Sequence, residues 1–441
     1  MVANIMPVSL TVQGISPSSI NVERMTNSFI EMAKINTVSD ESKTESKQIP
    51  STDGQKILAG ILRRDLEQIS GVRDVKVDKN SVVTGFLPSN IKSDKKIPTV
   101  GLFAHMDIAD DAPTDNIHPI IHRNYQGGDL VLGHGTIIPS SELITHIGED
   151  IITTDGRTLL GADDKAGIAE ILEVLRIYGE HPELKHPHIK LAYTPDEEIS
   201  RGLDFFNVQE FGADAAYTID GSVPGEIESE TFNAHMLNIT FEGEDVHPGY
   251  AKGKMKNSIR AMAEFVTRLP IEEAPESTEG RQGYIHPITA PSVSVSQSKL
   301  TLIIRDFDYE GSLMRIERVK NLAKEVEELC PGTSIKVDVK EQYRNMKDYI
   351  AKKPEVVEHA KRGIEATGLK VIDKPIRGGT DGSSLSLRGL PTPNLAAGGR
   401  NFHSLKEFVT IQDMKKCAAI IINTLSAWVG GLKDTSENKV G

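Results

Sequence analysis

Five short segments of the sequence concentrate side chains that can bind a divalent cation or carry a proton. Four of them directly follow apolar runs that are typical of strands, and active sites of open α/β sheets lie at the carboxyl ends of strands. Together they offer two histidines and several carboxylates, a ligand set that suits a pair of divalent ions, zinc above all. The segments are residues 105–107 (HMD), 160–167 (LGADDKAG), 194–198 (TPDEE), 218–221 (TIDG) and 401–404 (NFHS).

Each segment on its own also has a simpler interpretation. One of the adjacent aspartates is expected to cap the helix that follows, which leaves Asp163 free to bridge two cations. An acidic turn such as residues 196–198 is usually solvated, but at a strand end it can supply a metal ligand and an adjacent general base. In an extended segment His105 and Asp107 point to the same side, so the carboxylate could fix the tautomer of a metal-bound histidine.

The elements around these segments predict an α/β fold. Apolar spacing predicts the helices, and short β-branched runs between them predict the strands. We therefore expect a mixed, largely parallel sheet covered by helices. The predicted helices lie at residues 21–35, 51–66, 166–178, 354–366 and 411–429, and the predicted strands at residues 82–86, 100–104, 189–193, 215–219 and 393–397.

A different pattern begins at residue 231 and predicts an inserted domain. Its β-α-β-β-α-β order is that of the ferredoxin-like α+β unit. We predict a lid or dimerisation domain at residues 231–346 within a discontinuous catalytic domain formed by residues 21–230 and 347–441, and an N-terminal extension at residues 1–20. The inserted elements are strand 236–241, helix 257–269, strands 292–296 and 300–307, helix 313–329 and strand 334–339.

The composition argues against several classes of protein. The chain has 441 residues, with 50 Lys plus Arg against 63 Asp plus Glu and a formal net charge of −13. This acidic balance argues against a nucleic-acid partner, because there is no excess of basic residues to neutralise phosphates. No run approaches the roughly 18 uncharged apolar residues of a membrane-spanning helix, so we expect no membrane partner. Cys330 and Cys417 are too few for a disulfide framework and the N-terminus does not read as a secretory signal, so we expect a cytoplasmic protein.

The motifs also occur together, and in the same order, in a known family. The segments HMD, LLGADDKAG, TPDEE, TIDG, HPG, IIRDFD, RGGTDG and NFHS resemble those of the co-catalytic dizinc metallopeptidases, and of their tripeptide aminopeptidases in particular. The resemblance runs from about residue 22 to residue 430. It implies a metalloaminopeptidase that releases the N-terminal residue from tripeptides, with two zinc ions per subunit or cobalt or manganese in their place.

The resemblance implies one role for each metal-binding side chain. One zinc ion would be held by His105 and Asp220. The other would be held by Glu198 and His403, and Asp163 would bridge the two. Two zinc ions, three ligating carboxylates and one bridging hydroxide sum to a neutral site, which is the condition for burying charge.

Two further carboxylates are implied to take part in catalysis. Glu197 would be the general base that removes a proton from the water shared by the zinc ions and returns it to the departing amine. Asp107 would orient His105.

Three residues are implied to bind substrate. His247 would steady the tetrahedral oxyanion, and the guanidinium groups of Arg305 and Arg377 would hold the substrate carboxylate. Since the sequence places Arg305 in the inserted domain and Arg377 in the catalytic one, the pair would select peptides of tripeptide length. Small peptides are therefore the expected partners, and the inserted domain is the expected contact of a possible homodimer.

Two alternatives stay open at this point. Another dizinc amidohydrolase, such as a dipeptidase, a carboxypeptidase or an N-acyl amino acid deacylase, could use the same scaffold. Outside the enzymes, the chain could be a non-catalytic metal-binding scaffold, although such proteins usually arise by loss of the base and Glu197 is present.

Overall fold

The structure, a computed structural model, describes residues 19–43, 48–432 and 434. Residues 1–18, which make up most of the predicted N-terminal extension, lie outside the described residues. Within the described part of the chain, no helix combines the length and the hydrophobicity needed to cross a membrane.

The helices and strands are numbered in chain order. The α-helices are α1 Val22–Ala33, α2 Asp53–Glu67, α3 Ser140–Leu143, α4 Ala162–Glu180, α5 Val208–Phe211, α6 Ser258–Thr267, α7 Tyr309–Leu329, α8 Lys347–Ile350, α9 Glu355–Ala366, α10 Asp381–Leu387 and α11 Ile411–Ala427. The strands are β1 Arg73–Val77, β2 Val83–Leu87, β3 Thr99–His105, β4 Ile120–His122, β5 Leu130–Val131, β6 Ile137–Ile138, β7 Ile151–Thr153, β8 His188–Thr194, β9 Ala215–Gly221, β10 Glu226–Glu228, β11 Asn233–Glu242, β12 Tyr284–Val293, β13 Gln297–Asp306, β14 Ser334–Tyr343, β15 Ile372–Asp373, β16 Asn394–Ala396, β17 Gly399–Arg400 and β18 Phe408–Thr410.

The largest sheet has eight strands in the order β1-β2-β8-β3-β9-β16-β10-β15. Its centre, from β8 through β3 and β9 to β16, is parallel. The pairs β1-β2, β2-β8 and β10-β16 are antiparallel. The central strands are almost continuously buried, as expected for a sheet covered on both faces. The predicted mixed, largely parallel α/β sheet is confirmed.

Helix α4 is the central helix of this layer. It is buried along nearly its whole length, because it packs against β3 and β9 of the sheet and against α1 and α11. The charged side chains of Asp164, Lys165, Glu170 and Glu173 are buried along with its apolar ones. The turn at its N-terminus, residues 161–164, therefore lies at the edge of the sheet where β3 and β9 end.

A second sheet has four antiparallel strands in the order β12-β13-β11-β14, with α6 and α7 packed on it. The chain order β11-α6-β12-β13-α7-β14 is the predicted ferredoxin-like arrangement. The first strand of its middle hairpin lies earlier than predicted: β12 runs from Tyr284 to Val293 rather than over residues 292–296. It contains Pro287 and Pro291, which an edge strand tolerates and which hide its strand pattern in the sequence.

Packing divides the chain into two compact units. The larger comprises the described residues within 1–229, 349–374 and 380–441, and the smaller comprises residues 230–348 and 375–379. The short segment 375–379 pairs with the smaller unit through an isolated parallel bridge between Ile376 and Thr231, just before β11. Arg377 therefore lies in the same unit as Arg305, which corrects the expectation that the two arginines come from opposite domains.

Candidate metal centre

Three neighbouring strands place their last residues at one edge of the large sheet. β3 ends at His105, β8 ends at Thr194, and β9 contains Asp220 next to its end. His105 and Thr194 are direct partners in the parallel register of β3 and β8. The residues that follow both strands therefore leave the sheet side by side, at the strand ends where α/β sites form.

His105 is buried, and both of its ring nitrogens face carboxylates. Nε2 lies 2.8 Å from Asp163 Oδ1 and 3.6 Å from Asp220 Oδ1. Nδ1 lies 3.4 Å from Asp107 Oδ1 and 3.2 Å from the Asp107 carbonyl oxygen. Burial alone lowers the pKa of His105, but hydrogen bonds with Asp107, Asp163 and Asp220 raise it well above the usual value.

Asp107 also fixes the acidic turn after β8. Its Oδ1 accepts a hydrogen bond from the Glu197 N–H and its Oδ2 accepts one from the Glu198 N–H, both at 3.0 Å. Asp196, the first carboxylate of the turn, has a structural role, because it accepts hydrogen bonds from the backbone N–H and the hydroxyl of Ser51 at 2.7 and 2.6 Å. The carboxylates of Asp107 and Asp196 thus hold the turn in place. The side chains of Glu197 and Glu198 are not needed to stabilise it.

His403 forms a second group with carboxylates. Its Nε2 lies 3.1 Å from Glu198 Oε2 and 3.6 Å from Asp163 Oδ2. Its Nδ1 lies 3.0 Å from Asp111 Oδ2. Hydrogen bonds with Asp163 and Glu198 raise the pKa of His403 to about 11. Asp163 therefore contacts both histidines, one through each carboxylate oxygen.

The turn that carries Asp163 is held from outside the helix. Glu407 accepts hydrogen bonds from the N–H groups of Leu160 and Gly161, each at 2.8 Å, and of Asp163 at 3.1 Å. Neither aspartate caps α4, contrary to the sequence prediction. The residues Asp163 and Asp164 are not helical, and Asp164 Oδ2 instead accepts the N–H of His105 at 3.2 Å.

The donor set fits divalent cations. His105 with Asp163 and Glu198 forms one group, and His105 with Asp164 and Asp220 another, whose potential ligand atoms lie within 4.8 Å of one another. Glu198 Oε1 is buried without a hydrogen-bond partner among the described residues. Burial and the nearby Asp163 raise the pKa of Asp220 to about 8. Carboxylates crowded in this way need positive charge, which metal ions would supply.

A third group of potential ligands, formed by His146, Glu149 and Asp413, is a different case. Lys416 Nζ lies 2.8 Å from Asp413 and 3.4 Å from Glu149, and Arg400 lies 3.0 Å from Asp413. The two carboxylates are thus already neutralised by two cationic side chains, and we assign no metal to them.

Comparison with known proteins identifies the family of the chain. Residues 154–427 match the family model of peptidase family M20/M25/M40. The chain is 45% identical over 403 residues to Peptidase T of Clostridium perfringens. The aligned region covers 91% of this chain and 98% of that protein. The chain belongs to peptidase family M20/M25/M40. It is also 45% identical over 402 residues to Peptidase T of Geobacillus kaustophilus, with coverage of 90% and 96%. The predicted family resemblance is confirmed.

Solved structures show the same fold for this M20 peptidase. Aminopeptidase PepT from Bacillus cereus superposes with a TM-score of 0.71 at 22% identity, covering 93% of this chain and all of that one. The YXEP protein of Bacillus subtilis, described as a dinuclear metal-binding peptidase, superposes with a TM-score of 0.60 at 14% identity, covering 92% and 97%. The groups of potential metal ligands and the membership of the M20 family both support the conclusion that this chain is a metal-binding peptidase.

Sequence reasoning assigned no role to two carboxylates near the peptidase site. Glu407 stands in the sequence as a lone acid after the NFHS loop, and only the fold shows that it holds the Asp163 turn. Asp381, in the RGGTDG segment, accepts a hydrogen bond from the Thr194 hydroxyl at 2.8 Å. Burial raises the pKa of Asp381 to about 6, and its charge in turn raises the pKa of Glu197. The aspartate in the glycine-rich RGGTDG motif is the sequence signal that could have identified Asp381.

The three predicted substrate residues lie in the smaller unit of the peptidase. His247 is exposed, and its Nδ1 accepts a hydrogen bond from the Gly249 N–H at 3.1 Å. Arg305 is buried against the Tyr343 ring and donates to the carbonyl oxygen of Ile304 at 3.1 Å. Arg377 donates to the backbone carbonyls and one hydroxyl of residues 278–282. Among the described residues, neither guanidinium pairs with a carboxylate, and the partners named here are all neutral.

Proposed function

We propose that this M20 peptidase is a zinc-dependent tripeptide aminopeptidase. The observation that carries the proposal is the placement of Glu197 next to Glu198. Both backbone N–H groups bind one carboxylate, Asp107, so a proton acceptor and a metal ligand are held in fixed relation at the end of β8. The identity of about 45% to proteins named Peptidase T over nine-tenths of the chain supports the substrate class.

Five side chains would hold the cations. We propose His105 and Asp220 for one ion, Glu198 and His403 for the other, and Asp163 between them. The contacts of Asp163 with both histidines support its shared position. When bound, two such cations act as Lewis acids that acidify water and polarise a peptide carbonyl. We propose zinc because of the mixed imidazole and carboxylate donors, with cobalt or manganese as substitutes.

Glu197 would move the proton. Burial raises the pKa of Glu197 well above its usual value, and the carboxylates of Asp220 and Asp381 add to this effect. A carboxylate in such surroundings takes a proton readily and can return it to the departing amine. Asp107 assists through position alone: it faces His105 Nδ1 and holds the Glu197 backbone.

Substrate recognition is proposed for the smaller unit. Arg305 and Arg377 would hold the C-terminal carboxylate of the peptide, and His247 would stabilise the oxyanion of the tetrahedral intermediate. A substrate carboxylate would replace neutral carbonyl partners of the guanidinium groups, which is favourable because charge-assisted hydrogen bonds are roughly twice as strong as neutral ones.

A panel of substrates tests the proposal. The metal-free protein is prepared with a chelator, and zinc, cobalt or manganese is added back. Tripeptides, dipeptides and N-acetylated tripeptides of the same residues are then compared. We expect metal-dependent hydrolysis of free tripeptides above all others. Activity confined to N-acetylated peptides would favour the deacylase alternative, and no hydrolysis with two bound ions would favour the scaffold alternative.

We also propose a cytoplasmic setting and a homodimer through the smaller unit. Neither Cys330 nor Cys417 is in a disulfide, as expected in a reducing compartment. The strands β12 and β14 are open edges of the ferredoxin-like sheet and could pair with a second copy. Sedimentation equilibrium of the full chain tests the dimer, and a single species of monomer mass at micromolar concentration would contradict it.

A further inference from the structure

His403 has a carboxylate partner on the side that faces away from the proposed cation. Its Nδ1 lies 3.0 Å from Asp111 Oδ2, while its Nε2 faces Glu198 and Asp163. Asp111 belongs to the acidic loop after β3, in which several carboxylates would ordinarily be solvated. Its contact with a predicted metal ligand sets it apart from the other exposed acids of that loop.

The arrangement repeats the one at His105. There too Nε2 faces the proposed ligands and Nδ1 faces a carboxylate, Asp107, from the same loop. In metal sites a carboxylate that accepts the second ring N–H fixes the tautomer and orientation of the histidine and raises its basicity. One loop thus supplies a partner for each of the two histidines.

The loop around Asp111 is anchored on both sides. Before it, the Ile108 carbonyl accepts the N–H of Ser39 at 3.1 Å. After it, the Pro113 carbonyl accepts the N–H of Leu159 at 3.0 Å. Since only four residues lie between these anchors, the backbone that carries Asp111 is restricted to a small region beside His403.

We propose that Asp111 is a positioning residue that holds the His403 imidazole with Nδ1 protonated and Nε2 free, and thereby sets the affinity of the second cation site. The inference rests on the proposed function, because it takes His403 as a ligand. Asp111 touches neither the cation nor the substrate. Its effect is therefore expected in metal affinity first and in turnover only as a consequence.

A pair of matched variants tests this role. Asp111→Ala removes the partner of His403, whereas Asp110→Ala removes the same charge one residue earlier, from a side chain with no hydrogen bond or ion pair among the described residues. Zinc is titrated into each metal-free protein against a chromophoric chelator. We expect Asp111→Ala to lower the affinity for one of the two zinc ions by about tenfold and to leave the affinity for the other unchanged. Asp110→Ala should bind both ions as the parent does.

Asp111→Asn is the conservative variant, since its amide oxygen can still accept the Nδ1–H. Its zinc affinity should lie between those of the parent and Asp111→Ala. Equal affinities for Asp111→Ala and Asp110→Ala, or equal weakening of both ions in Asp111→Ala, would overturn the role of Asp111. A parent protein that binds fewer than two ions would instead overturn the proposed metal centre, and the role of Asp111 with it.

Discussion

Asp107 Oδ1 accepts a hydrogen bond from the backbone N–H of Glu197 at 3.0 Å. The other oxygen of the same carboxylate accepts the N–H of Glu198. The residue expected only to orient His105 therefore also positions the proposed base and its neighbouring ligand. These three tasks fall on one buried side chain with no exposed surface.

The first prediction concerns this residue. In Asp107→Asn an amide NH₂ must face either the Glu197 or the Glu198 N–H, donor against donor, so the turn shifts. We expect kcat on a tripeptide to fall by about 10²-fold, the upper range for a group that supports a metal ligand. Asp110→Asn in the same loop is the control. An unchanged kcat with both ions bound would show that the Asp107 contacts are dispensable.

Glu407 gives the second prediction. It accepts three backbone N–H groups around Asp163, and a Gln at this position has only one acceptor oxygen. Glu407→Gln should lower the free energy of unfolding by about 1–3 kcal/mol, the cost of leaving a buried donor unsatisfied. Urea unfolding measures this, together with zinc content. Glu365→Gln, on an exposed face of α9, should stay within about 0.5 kcal/mol of the parent.

Glu170 gives a prediction about pH. It is fully buried in α4, and neither carboxylate oxygen has a partner among the described residues. Burial, together with Asp164 and Asp413, raises its pKa well above 4.5. The folded state thus keeps a proton that the unfolded state loses, so this contribution to stability is present below about pH 4.5 and is lost as the pH rises through the folded-state pKa.

Glu170→Gln removes that titration. Its Tm should therefore exceed that of the parent at about pH 8, and the difference should shrink towards about pH 5. Thermal unfolding at matched zinc concentration measures both values. A constant difference between the two Tm values across this range would show that Glu170 does not titrate as its burial requires.

Arg305 allows a test of carboxylate recognition. For Arg305→Ala we expect KM for a free tripeptide to rise by about 10-fold or more. This is the loss of binding expected when a hydrogen bond to a charged group is removed. KM for the same tripeptide with a C-terminal amide should change little, because the charge that Arg305 would recognise is absent. A similar rise for both peptides would point to a packing role against Tyr343 instead.

Much of this architecture could be predicted from the sequence. The central strands are short, largely apolar runs, and α4 has apolar residues at helical spacing, so the types of these elements follow from the sequence pattern. The β12 strand could not be placed, because its prolines are tolerated only at an edge that the fold creates. Arg377 lies in a segment of five residues that crosses to the smaller unit, and no local pattern reports such a crossing.

In the candidate site, too, some residues could be predicted from the sequence and others could not. The predicted metal ligands stand in recognisable motifs. His105, Glu198 and Asp220 lie at strand ends, where the periodic pattern stops, whereas Asp163 opens α4 and His403 lies in a loop. The residues that support the ligands do not stand in such motifs: Asp111 is one acid among several in a loop, and Glu407 lies 244 positions from Asp163 in the chain. Their roles depend on contacts between distant segments, which spacing along one sequence does not encode.

The proton transfer by Glu197 is tested most directly by the turnover of zinc-loaded Glu197→Gln on a tripeptide, measured with the bound zinc counted in the same sample. Glutamine keeps the size of the side chain but cannot accept the proton. We predict two bound ions and a kcat lower than that of the parent by about 10²–10⁴-fold. A variant that holds two ions and hydrolyses the peptide as fast as the parent would contradict the assignment of Glu197 as the base.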